Sequence, residues 1–208
     1  MYIAITFDDG PNTETTPRVL DVLEKEGIRA TFFLIAQNIN DETAEAVRRA
    51  VSLGCDIENH SVTHTAMDTM TPEAIRREVD ECSDRIRAIT GRAPEFFRPP
   101  YIALNQQVYD NVDLTMICGK GCQDWEQPVS AEERARRVLT TAEHGDIVLL
   151  HDFTGNEKTV EALKTIIPEL KRRGFSFVTC RELFRLCNIT PVRNRIYSNV
   201  FQTVKRMD

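Results

Sequence analysis

The feature that most constrains the fold is a series of seven short runs, at residues 2–7, 30–35, 54–59, 95–98, 114–118, 146–151 and 175–179, each followed by a longer amphipathic or polar stretch. Most of these runs are nearly continuous in apolar or β-branched residues, which suits strands covered on both faces, as in a parallel sheet. Strand and helix signals that alternate in this way predict an α/β protein rather than an all-α or all-β one. With 208 residues, 41% of them hydrophobic, the chain can bury one core and is short for two. A single domain over residues 1–187 is therefore expected. Residues 188–208 show no clear period and end in polar and basic side chains, which predicts a tail packed on the domain or fraying from it.

Helix boundaries carry recognisable chemistry. Thr16-Pro17 and Thr71-Pro72 place a capping hydroxyl before a proline at the first helical position. Ser130 with Glu133 fits a capping box. Gly27, Gly54, Gly91 and Gly174 stand where a left-handed residue would close a helix. His144, beside Gly145, reads as a residue at a helix C-terminus.

Charge and cysteine usage exclude some partners. Acidic side chains outnumber basic ones by 32 to 26, for a net charge of −6, and no long basic run occurs, so nucleic acid is not an expected partner. No window reaches 18 apolar residues, so no membrane segment is expected either. The chain starts at Met1-Tyr2-Ile3 with no basic stretch or apolar signal core, which predicts a cytoplasmic protein, or a secreted one whose leader is already removed. Six cysteines with no Cys-x-x-Cys pair read as reduced, mostly buried thiols, with Cys118 and Cys122 flanking a glycine-rich stretch that a disulfide would clip in a secreted protein.

Asp8 and Asp9 directly follow the first strand and precede Gly10-Pro11. They are either a turn whose carboxylates cap loose N–H groups, or an active site at a strand's C-terminal end, where α/β proteins keep theirs. His60 and His64 follow the third strand four residues apart, and on a helical turn that spacing points both rings to one side, able to share a cation. His60 is not followed by the glutamate of His-Glu-x-x-His proteases, so a catalytic base must come from elsewhere, with Asp8 or Asp9 the obvious supplier. Two histidines and one carboxylate leave a coordination position open for water, as in catalytic zinc sites. Arg98-Pro99-Pro100-Tyr101, Asp124-Trp125 and His151-Asp152 follow the fourth, fifth and sixth strands, all at the same end.

These segments together, Thr6-Phe7-Asp8-Asp9-Gly10-Pro11, His60-Ser61-Val62-Thr63-His64, Arg98-Pro99-Pro100-Tyr101, Asp124-Trp125 and Leu149-Leu150-His151-Asp152, resemble the five ordered motifs of polysaccharide deacetylases, the NodB-homology or carbohydrate esterase family 4 enzymes. The resemblance implies a distorted (β/α)7-type barrel, whose mouth brings the strand ends together, and a hydrolase that removes acetyl groups from acetylated carbohydrate. It implies that Asp9, His60 and His64 bind a divalent cation, zinc above all and cobalt as a substitute. Asp8, held by Arg98, would take a proton from the attacking water, and His151, paired with Asp124, would protonate the leaving group. The Tyr101 N–H would stabilise the developing oxyanion, with Trp125 and Leu149 walling the acetyl methyl.

Two positions depart from the family's pattern. Ile102 stands where a glycine is usual, and Gly121 where the fourth motif often has aspartate. The resemblance points first to N-acetylated amino sugars in chitooligosaccharide or peptidoglycan-like chains. O-acetyl esters of xylan are the alternative, and a catalytically silent carbohydrate-binding module is a third, disfavoured because every proposed role is filled.

Overall fold

The computed structural model describes residues 1–204. Its elements in order are β1 (Tyr2–Asp8), α1 (Thr15–Glu26), β2 (Thr31–Leu34), α2 (Ala44–Ser52), β3 (Asp56–Asn59), α3 (Pro72–Thr90), β4 (Phe96–Phe97), α4 (Gln106–Asn111), β5 (Thr115–Ile117), β6 (Lys120–Gly121), α5 (Ala131–Thr141), β7 (Ile147–His151), α6 (Glu157–Arg172), β8 (Ser176–Phe177), α7 (Cys180–Leu186), β9 (Ile196–Asn199) and β10 (Gln202–Val204). All seven expected strands are present, several of them shortened at their ends.

From β1 the sheet runs one way through β2, β3, β4, β5, β9 and β10, and the other way through β7 to β6. Every pairing is parallel except that of β9 with β10, and β8 joins β1 at Tyr2 and Ile3. Closure comes from one continuous stretch of chain: β5 pairs with β4, and β6, three residues later, pairs with β7. Below it, Asp146 bridges to Asn199 of β9. The result is the distorted (β/α)7 barrel.

Within the segment after Cys187, β9 enters the barrel wall beside β5, with Ile196 and Tyr197 buried. Residues 205–208 lie outside the described residues. All six cysteines are free, four of them buried. Among the described residues no helix is long and apolar enough to cross a membrane.

Strand parity sorts the core. Side chains alternate faces along a strand, so Ile3, Ile5 and Phe7 of β1 pack outward against helix residues such as Leu20, Leu23 and Leu163. Ala4 faces inward with Phe33, Phe96, Ile117 and Ile147. Thr6 shares that inward parity and gives its hydroxyl to the Val148 carbonyl at 2.7 Å. Each fully buried aromatic contributes about 1.5–3 kcal/mol of burial energy. The same alternation carries up to the rim: Asp8, Arg98 and His151 continue the inward sets 4-6-8, 96-98 and 147-149-151, so they meet above the core.

Two helix starts differ from expectation. Thr71 caps α3 and Ser130 caps α5 through the N–H groups of Ala74 and Glu133. The Glu133 side chain, however, reaches Arg136 and Arg137 instead of closing a box. Thr16 caps nothing: α1 starts at Thr15, and Asn12 Oδ1 takes the N–H groups of Glu14, Thr15 and Thr16. A full capping box sits instead at Thr179 and Glu182 of α7. His144 lies three residues past the end of α5, where its Nδ1 accepts the Tyr2 N–H at 3.0 Å.

Candidate metal and active centre

β1 delivers Asp8 to the interior, and Asp9 then adopts φ 75°, turning its carboxylate back over the barrel mouth. A left-handed conformation costs a non-glycine residue about 1–3 kcal/mol and persists only where its surroundings hold it. Here Asn38 Nδ2 binds the Asp9 carbonyl at 2.9 Å. The histidines converge differently from the expected helical turn. Residues 60–66 form a bend, with φ 66° at Ser61 and 60° at His64, and the imidazole centroids lie 4.8 Å apart. Glu78 of α3 shapes this bend by accepting the N–H groups of Val62 and Thr63, both at 2.9 Å.

Asp9 Oδ1 lies 3.4 Å from His60 Nε2 and 3.3 Å from His64 Nε2. One ligand atom from each residue fits within 4.8 Å of the others, the separation of donors around one cation. Three observations say the set suits a metal. Asp9 Oδ1 is buried and has no hydrogen-bond partner. His60 Nδ1 is 2.6 Å from the Arg98 carbonyl, an acceptor, so this nitrogen carries the hydrogen and Nε2 presents its lone pair to the centre. Burial works to raise the Asp9 carboxyl, but the imidazoles around it, His60 foremost and then His151 and His64, hold it below its ordinary value. Burial, with the neighbouring His60, holds His64 below its own. An ionised carboxylate and neutral imidazoles are the forms a cation binds.

Asp8 has a different setting. Its Oδ1 pairs with Nη1 of the wholly buried Arg98, and its Oδ2 is 3.6 Å from His60 Nε2. Arg98 in turn lies 4.2 Å above the Phe33 ring. Across the mouth, Asp124 holds His151 twice, taking the backbone N–H on Oδ2 at 2.7 Å and Nδ1 on Oδ1 at 2.8 Å. Burial alone would lower the His151 pKa, but the bond and charge of Asp124, with Asp8 and Asp9, push it up to about 9.

Asp8, Asp9, His60, His64 and His151 line one cavity of about 370 Å³, closed by Pro99, Tyr101, Ile102, Trp125 and Leu149. Tyr101 has φ 57° and is 72% exposed, its ring 4.6 Å from His64, and among the described residues its N–H meets no acceptor. Ile102 also takes a positive φ, 52°, the conformation that favours glycine, which is the residue usual there in the resembling family. Trp125 stands edge-on to His151 at 5.4 Å, and a Cβ at Gly121 would already touch its ring at 3.4 Å. The ten residues singled out in the sequence thus surround one cavity, eight lining it and Arg98 and Asp124 bonded to two of those.

Supports to which the sequence reading gave no role at the site are Asn38, Glu78, and the Asn12–Thr16–Asp152 group. Thr16 Oγ1 donates to Asp152 Oδ2 at 2.5 Å and Asn12 Nδ2 to the Asp152 carbonyl at 2.5 Å, locking the loop after Asp9 onto the end of β7. Burial, with Asp9 and Asp8 near, pushes the Asp152 carboxyl up to about 7. Gly10 is needed beside it, since a Cβ there would lie 2.7 Å from that carboxylate. A signal did exist for Glu78: the consecutive N–H groups of a sharp bend call for a nearby acceptor.

Residues 1–116 match the family model described as polysaccharide deacetylase. The chain belongs to the polysaccharide deacetylase family. Among relatives of this deacetylase domain, a bifunctional xylanase/deacetylase of Pseudobutyrivibrio xylanivorans is 49% identical over 199 residues, 95% of this chain and 33% of that protein. A peptidoglycan-N-acetylglucosamine deacetylase of Bacillus cereus is 34% identical, covering 88% of this chain and 68% of the relative. The chain thus spans about a third of the first of these proteins and two thirds of the second. Among solved structures, a family 4 acetyl xylan esterase from Clostridium thermocellum, in complex with a cobalt ion, superposes with a TM-score of 0.93 at 41% identity over 96% of this chain and 99% of that one. A bound cation in that deacetylase-family fold accords with a divalent metal at the Asp-His-His set found here.

Proposed function

We propose that this chain is a metal-dependent deacetylase that hydrolyses the acetamido group of N-acetylated amino sugars in oligo- or polysaccharide. The observation that carries this reading is a single cavity lined by a cation-ready triad, by a carboxylate held on a buried arginine, and by a histidine held on a buried aspartate. Asp9, His60 and His64 would hold the cation, zinc by the chemistry of two imidazoles and one carboxylate. When bound, a divalent ion lowers the pKa of water toward 7 and polarises the acetyl carbonyl.

Asp8 takes the proton of the attacking water. Its Oδ1 is committed to Arg98, which fixes the carboxylate's orientation and leaves Oδ2 toward the cavity. The Tyr101 N–H donates to the oxygen on which charge develops. An amine leaves only once protonated, and His151 supplies that proton. Its Nδ1 hydrogen is given to Asp124, so Nε2 is the nitrogen that donates into the cavity. Trp125 and Leu149 wall the space for a methyl group.

A second reading, removal of O-acetyl groups from xylan, is favoured by the names of the 49% identical xylanase/deacetylase and the 41% identical acetyl xylan esterase. Acetate release from chitooligosaccharide, peptidoglycan and acetylxylan, each with zinc or cobalt and with chelator, separates the readings. Metal-dependent acetate from the N-acetylated substrates supports the first, and acetate from acetylxylan alone replaces it with the second. Sugar binding with no acetate from any substrate contradicts both and leaves a silent binding module.

A further inference from the structure

Arg134 is wholly buried on α5 and forms an ion pair with no carboxylate among the described residues. A buried guanidinium without a direct counter-ion is costly, and here each hydrogen bond it makes is to a neutral acceptor. Its Nε donates to the Val129 carbonyl at 3.1 Å and its Nη2 to the Glu126 carbonyl at 3.4 Å. Nη1 donates to Asn156 Oδ1 at 2.6 Å and to Thr159 Oγ1 at 2.9 Å. Asn156 and Thr159 are buried at the start of α6, and both face Asp124.

Arginine is only ever a donor. Because the Asn156 Oδ1 accepts from Arg134, its amide nitrogen is turned to the Asp124 carboxylate at 3.4 Å and to the His151 carbonyl at 2.8 Å. Because Thr159 Oγ1 also accepts from Arg134, its own hydrogen goes to Asp124 Oδ2, 2.9 Å away. With the His151 N–H on the same oxygen, Oδ2 is filled and Oδ1 is left for the imidazole. The direction of every bond from Arg134 to His151 is thereby set.

We propose that Arg134 is a positioning residue for the proton donor: through Asn156 and Thr159 it orients Asp124 so that His151 holds its Nδ1 hydrogen inward and presents Nε2 to the substrate. The proposal rests on the reading of His151 as the acid, and its test separates the two. Facing His151 are Asp124 from the loop after β6, Asp8 and Asp9 from the end of β1, His64 from the bend after β3, and Asp152 just past β7; Arg134 acts from behind Asp124.

The test is the titration of the His151 imidazole by NMR in the zinc-loaded protein, together with the pH profile of acetate release, for Arg134→Met, Thr159→Val and Thr159→Ser. In Arg134→Met the oriented partner is lost, so the His151 titration moves down toward the ordinary histidine value and the alkaline limb of the rate moves with it. Turnover falls roughly tenfold at neutral pH with KM and zinc content unchanged, the size of effect seen when supporting groups around a site are removed. Thr159→Val shifts both in the same direction, and Thr159→Ser, which keeps the hydroxyl, restores them. If Arg134→Met does not fold, the Val and Ser pair at position 159 decides alone. A folded Arg134→Met, or Thr159→Val, with an unmoved His151 titration overturns the proposal. A titration that moves while the rate profile stays fixed upholds the positioning of His151 and removes it as the acid.

Discussion

Asp8 and Asp9 are neighbours in the chain, yet their carboxylates serve different partners: Asp8 Oδ1 takes the Arg98 guanidinium, and Asp9 Oδ1 lies 3.4 and 3.3 Å from two imidazole nitrogens. Strand parity sends Asp8 inward, and the left-handed backbone at Asp9 sends the second carboxylate over the rim.

Metal removal should therefore act through Asp9 and not through Asp8. Chelator abolishes acetate release, and zinc or cobalt restores it. A cation present at 100 times its dissociation constant adds about 2.7 kcal/mol of stability, so thermal melts of the wild type rise on zinc addition. Asp9→Ala loses that rise.

Arg98, wholly buried, neutralises Asp8, itself only 2% exposed. Arg98→Met leaves a buried, unpaired carboxylate, and breaking a buried pair in this way costs about 3–5 kcal/mol. Denaturant unfolding at neutral pH measures the loss.

Much of this was legible because the barrel writes its parity into short apolar runs and places most of its chemistry at or just past the ends of several of them, as at Phe7-Asp8 and Leu150-His151. Other parts were hidden for physical reasons. β6 is two residues long, and β9 pairs only with strands distant in sequence or just after it, so neither shows a period of its own. Arg134 sits among Glu132, Glu133, Arg136 and Arg137, a run that reads as a solvated helix face until the fold shows which of the five points inward. The bend at Ser61 brings His60 and His64 together without a helix, and local spacing alone does not reveal it.

Gly119 has φ 85°, and a Cβ there would lie 3.0 Å from both Arg98 Nη2 and Leu149 Cβ. Gly119→Ala adds backbone strain of about 1–3 kcal/mol and displaces the arginine that holds Asp8. Urea melts should show the loss of stability, and acetate release should fall further than stability alone explains.

With His151 as the proposed acid, its pKa near 9 would set the alkaline side of the pH profile. A histidine whose pKa is raised by folding stabilises the protein fully below its ordinary value of 6.5 and loses that contribution as pH rises to about 9. Acetate release from an N-acetylated substrate declines over the same upper range, as the imidazolium loses its proton. Asp124→Asn moves that decline to lower pH, which a rate profile from pH 6 to 10 would show.

The central claim is that Asp8 is the base and Asp9 belongs to the metal. Its most direct test is zinc content and acetate turnover measured on the same preparation of Asp8→Asn. The account predicts full zinc occupancy with turnover lower by about 10²–10⁴-fold, the range that general-base catalysis supplies. Wild-type turnover in Asp8→Asn, or loss of zinc with Asp9 intact, would contradict it.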